Sequence, residues 1–131
     1  MTAVRAIVIK ESLTPDAPPE LVGSYIIREY HHELDANTPI TIVESAVDPN
    51  SAAEFALQLS RSLKSQLFYA HIIDDERMLL AFPQTVVEVR RNDRKDEVIA
   101  QRIGELFSIP IHQMQFLAMF ERDHPDAGGP A

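Results

Sequence analysis

From Leu67 to Arg90 the chain places three short apolar runs, Leu67 to Ile73, Met78 to Phe82 and Thr85 to Arg90, around two very short connections. Asp74-Asp75-Glu76-Arg77 joins the first two runs and Pro83-Gln84 joins the last two. A parallel neighbour would need a crossover of a dozen or more residues, so strands joined this closely lie antiparallel. This meander is expected to form the centre of a sheet, and it restricts the fold more than any other stretch.

The flanking segments fill in the rest. Ala3 to Lys10 and Ile40 to Val47 are rich in β-branched residues and read as strands. Asp48-Pro49-Asn50-Ser51 supplies cap candidates, with Ser51 and Glu54 at capping-box spacing. Ala52, Phe55, Leu59 and Leu63 then line one face of a helix. Asn92 or Asp93 can cap a last helix running to about Phe107, with Val98, Ile99, Ile103, Leu106 and Phe107 as its apolar stripe; Ile109-Pro110 stops it. Gln113 to Phe120 alternates, with Met114, Phe116, Ala118 and Phe120 on one side, and reads as a final strand.

The stretch 19–34 is read as a helix opened by Pro19, with Val22, Ile26 and Tyr30 at four-residue spacing. Tyr25-Ile26-Ile27 is equally good strand material and Gly23 weakens a helix, so a strand is the alternative. Together these elements predict an α+β fold: a two-layer sandwich with a mainly antiparallel sheet of about five strands and two or three helices on one face. At 131 residues, 45% of them hydrophobic, the chain is expected to form one domain over residues 1–120. Residues 121–131, with Pro125 and Gly128-Gly129-Pro130, read as a flexible tail.

Composition narrows the chemistry. The chain has no cysteine, which excludes thiol catalysis, zinc ribbons and disulfides, and fits a reducing, cytoplasmic setting. The apolar stretch Ile7 to Ile9 is too short for a secretory core, and no run approaches a membrane span, so no membrane role is expected. A formal net charge of −8 repels a phosphate backbone, so nucleic acid is not an expected partner. The four glycines form no phosphate loop, and no serine sits in a nucleophile elbow. No catalytic residue and no cofactor are assigned.

Five histidines raise the question of a metal, but His31-His32, His71, His112 and His124 include no pair at ligand spacing, so no metal site is assigned. Asp74-Asp75-Glu76 reads as a turn, where water keeps the charges cheap, and not as an acid–base cluster. Arg90, Arg91, Arg94 and Lys95 are the only basic concentration, and interleaved Asp93, Asp96 and Glu97 cut its net charge to +1, as a solvated helix start would have.

Two surfaces remain. His71 lies inside an apolar run two residues from Tyr69, on the same side of a strand, and with an arginine such as Arg90 these residues could line a ligand pocket. Leu117 and Met119 make the final strand apolar on its second side, as in a sheet covered twice. A homodimer packing open sheet faces, a ligand cavity, or the loop Glu11 to Glu20 folding over would each explain that. The functional expectation is a non-enzymatic binding, regulatory or accessory module acting through self-association and a protein partner. The alternative is a small enzyme or ligand-binding protein with a pocket at Tyr69 and His71.

Overall fold

The computed structural model describes residues 4–18, 26–33, 39–65 and 68–121. The strands are β1 (Val4–Ile9), β2 (Ile26–Glu33), β3 (Pro39–Val47), β4 (Ala70–Ile73), β5 (Arg77–Phe82) and β6 (Thr85–Arg90). They form one six-stranded sheet in the order β2-β3-β1-β4-β5-β6. Every neighbouring pair is antiparallel. The α-helices among the described residues are α1 (Ala52–Ser62) and α2 (Arg94–Glu105). The fold is α+β, with six strands where about five were expected.

The meander β4-β5-β6 forms as its turns dictate. Asp74 accepts the backbone N–H groups of Glu76 at 2.7 Å and Arg77 at 2.9 Å through Oδ1, closing the first turn from its own side chain. In the second, Gln84 takes φ 59°, the left-handed value such a turn demands after Pro83. Its N–H donates to the Ser60 carbonyl at 3.0 Å, tying the hairpin to α1.

The two faces of the sheet are covered differently. Val4, Ala6, Val8, Ala70, Ile72, Leu79 and Ala81 point to one face, where Ala52, Ala56, Leu59 and Leu63 of α1 and its C-cap close over them. Ile73, Met78, Leu80, Phe82 and Val89 point to the other, against Ala100 of α2 and against Met114, Phe116 and Met119 beyond it. The helices are thus divided between the faces instead of gathered on one. A strand alternates its side chains, and β5 is buried along both sides, so one helix layer could not have covered it.

Three expectations are corrected. Residues 26–33 form strand β2, paired with β3 from Ile26↔Ser45 to Glu33↔Pro39, so strand and not helix holds there; residues 19–25 and Leu34 lie outside the described residues. Gln113 to Phe120 is no strand: 3-10 turns occupy Ile111–Gln113 and Leu117–Phe120. Its alternation came from Met114 and Phe116 being buried two apart, while Met119, and not Ala118, completes the inward set. At α1 no Ser51 cap bond forms; Asp48 instead accepts the Asn50 N–H at 2.9 Å, starting a 3-10 turn that leads into the helix. The proposed tail beyond Glu121 lies outside the described residues.

The chain from Lys10 onward turns back over α1's end, not over the C-terminal segment. Thr14 N–H donates to the Ser62 carbonyl and Lys64 N–H to the Ser12 carbonyl, both at 2.8 Å. Glu11 bridges to β3, accepting the Thr41 N–H at 2.6 Å and the Thr41 hydroxyl at 2.9 Å. Partial burial pushes the Glu11 pKa up, but these bonds outweigh it and leave it below its ordinary 4.5. A depressed carboxyl stabilises the fold above its unfolded pKa and loses that contribution as pH falls through the folded value. Acid denaturation followed by circular dichroism should therefore show Glu11→Gln flattening the loss of stability just below pH 4.5. The two sides of α1 should separate in urea titrations. Leu59→Ala, at a fully buried position, is expected to cost about 2–5 kcal/mol, and Leu57→Ala, on the exposed side, under about 1 kcal/mol.

Candidate functional site

α2 buries polar and small residues along its inward side. Its inward stripe is Glu97, Ala100, Gln101 and Gly104, four residues of which two are polar and two small. Its outward stripe carries Ile99, 55% exposed, and Leu106, 76% exposed, with half-buried Ile103 at the border. Of the apolar stripe expected to face the core, Ile103 and Phe107 do pack against it, Phe107 stacked on Phe82 at 6.0 Å, while Ile99 and Leu106 stand outside.

The reason lies in what α2 covers. The C-terminal segment makes no ladder, so its enclosed backbone groups need side-chain partners. Glu97 Oε2 accepts the Leu117 N–H at 2.8 Å, and Gln101 Nε2 donates to the Met114 carbonyl at 2.8 Å. Tyr69 Oη donates to the Gln113 carbonyl at 2.5 Å. Gly104 leaves room for the Met114 sulfur: a Cβ there would stand 2.2 Å from Sδ and 3.2 Å from the Phe82 ring. Glu97 is also ion-paired to Arg94. A helix turned inward by these contacts leaves Ile99 and Leu106 outside and Ile103 at the edge of the core.

The outward stripe is flanked by Lys95 and Arg102, both exposed, on the side away from Ile103, with Glu105 a further step around the helix. Among the described residues neither Lys95 nor Arg102 forms an ion pair. The other cations of this region do: Arg90 with Asp93 and Asp96 at 3.0 and 2.9 Å, Arg91 with Glu121, and Arg94 with Glu97.

The residues singled out from sequence fall apart into separate places. Tyr69 and His71 do share a face, with ring centroids 6.3 Å apart and planes 30° from parallel, and His71 is only 3% exposed. Tyr69 packs edge-on to Phe116 at 5.4 Å, and its hydroxyl is committed to Gln113; burial raises its pKa above the ordinary tyrosine value. Arg90 is not with them. It stands opposite Arg77 at the far end of the hairpin from Phe82, the ring Tyr69 touches, about 16 Å along the strand. There it is exposed, and its bond to Asp96 raises its own pKa and lowers that of Asp96. Met119, 2% exposed, is held in the chain's own core and presents no surface to a second copy, while Leu117 is half-buried beside it.

Sequence reasoning missed a polar row that crosses the second face. Arg28, Glu44, Ile7 and His71 stand side by side in the ladders of β2, β3, β1 and β4. Glu44 is buried and bound to Arg28 at 2.9 Å, with Arg5 3.9 Å away. Each of these residues lay in a strand whose neighbours the sequence did not reveal. A cleft of about 170 Å³ opens on the other face, between Val4, Pro49, Ala52, Ile72 and Arg77, away from Tyr69 and His71. Among the described residues no group of three His, Cys, Asp or Glu could hold a metal ion, and no helix is long and apolar enough to cross a membrane.

No protein family, no curated protein and no solved structure matches this chain.

The docking of the C-terminal segment can be measured. Glu97→Ala strands the Leu117 N–H and should cost about 1–3 kcal/mol in chemical denaturation; Tyr69→Phe strands the Gln113 carbonyl and should cost about 1–2 kcal/mol. In both variants hydrogen exchange of the amides from Met114 to Phe120 should quicken while those of β5 stay protected.

Proposed function

We propose that this chain is a non-enzymatic binding module of the cytoplasm, a regulatory or accessory subunit that forms a homodimer and engages a protein partner. One observation carries the reading: α2 turns polar groups inward and displays Ile99 and Leu106 to solvent. Two large apolar side chains displayed one heptad apart on the outer side of a helix mark an interaction face. An acidic chain of this kind is not fitted to nucleic acid.

Self-association is assigned to the outer edge of β2. No described strand pairs with that edge, and Ile26 and Ile27 at its start are exposed, at 45% and 55%. Unpaired backbone groups on an edge strand are a template for a second copy. Native mass spectrometry and light scattering should give a dimer for the wild type and a monomer for Ile27→Lys, which places a charge at the edge. A monomeric wild type removes the homodimer from the reading.

A second reading is favoured by His71 pointing into the chain beside Tyr69: a small enzyme or ligand-binding protein with its pocket there. The same spectra decide it. A small molecule retained by the wild type and lost from His71→Ala would put this reading first.

A further inference from the structure

Resting on the reading of α2 as the partner face, we propose that the partner is an amphipathic helix whose apolar stripe is bordered by carboxylates. The face is a stripe, not a pocket: Ile99 and Leu106, the residue capping α2, lie one heptad apart, about 10 Å along the axis, with Ile103, half-buried against the chain's own core, at the border between them. Such a stripe fits the side of another helix, which lays its own apolar residues between them.

Charge selects the kind of helix. Lys95 and Arg102 border the seam one heptad apart, and both are without an ion pair among the described residues, while Arg90, Arg91 and Arg94 are all bound to carboxylates. These two cations are therefore available to a partner, and acidic residues at the matching flank positions would meet them. A second copy fits the seam less well. An antiparallel pair that sets Ile99 against Leu106 of the other copy brings the two Arg102 side chains together at the two-fold axis.

The net charge makes the test stringent, because the field of the whole molecule favours a basic peptide and only the local flank favours an acidic one. The probes are two synthetic peptides of 18 residues with the same leucine seam, one flanked by glutamates and the other by lysines. Binding is followed by fluorescence anisotropy on the full chain. The glutamate peptide should bind about tenfold tighter at roughly 0.05 M salt, with the preference shrinking toward 1 M. Lys95→Glu/Arg102→Glu should reverse the preference, and Leu106→Glu, folded by circular dichroism, should abolish binding of both. Equal affinity for the two peptides, or preference for the lysine peptide, overturns the acidic partner and leaves α2 standing as a docking face. Failure of both peptides to bind, or a dimer dispersed by Leu106→Glu, overturns the partner helix altogether, and in the second case gives the seam to another copy of the chain.

Discussion

Backbone that is enclosed without a ladder must find its hydrogen bonds in side chains, and the stretch from Gln113 to Phe120 is such backbone. Its own 3-10 turns satisfy part of it, and the remaining partners are Tyr69 from the lead into β4 and Glu97 and Gln101 from α2. Glu97, Gln101 and Gly104 fall one turn apart, so all three can meet the segment only if α2 presents that stripe and no other. The orientation of the helix, the burial of Met114 against Gly104 and the exposure of Ile99 and Leu106 all follow from this one requirement.

The sheet shows the same division of labour on a larger scale. One face is closed by a helix that is apolar where it touches, and its core is aliphatic and alanine-rich. The other carries aromatic rings and methionines under the C-terminal segment and, across β4, β1, β3 and β2, a row in which His71 and Glu44 flank Ile7. The buried Glu44 carboxylate is paired with Arg28 and faces Arg5, and such buried pairs add little to stability. Their use is to distinguish this arrangement of strands from a slipped one, since a shift of one residue would carry Glu44 to the aliphatic face.

Much of this was legible in the residues. Turn chemistry at Asp74 and Pro83 announced the meander, and the 52–63 periodicity announced α1 with the correct face. What could not be read was decided by neighbours. Ile26 to Glu33 suits either state, and pairing with β3 tips it to strand. For α2 the period was right and the face only partly so: Ile103 and Phe107 reach the core and Ile99 and Leu106 do not, because periodicity locates an apolar stripe but does not say what the stripe faces. Glu97, Gln101 and Gly104 were in view as a competing stripe, and only the position of Met114 and Leu117 gives them meaning. Of the three residues proposed for a pocket, Tyr69, just ahead of β4, and His71 within it stayed together, while Arg90 belonged to another strand end.

The order of the strands has a consequence for how the chain is made. β1 is first in sequence yet lies at the middle of the sheet, between β3 and β4. Its two edges therefore stay open until Val47 and then Ile73 have been synthesised, a wait of several seconds at roughly 5–20 residues per second. Val4 to Ile9 is an apolar, β-branched segment, and in that interval it is an unpaired strand on a growing ribosome product. Until then this segment is exposed to mispairing, and rapid recruitment of β3, separated from β1 by only 29 residues, is the step that shortens the risk.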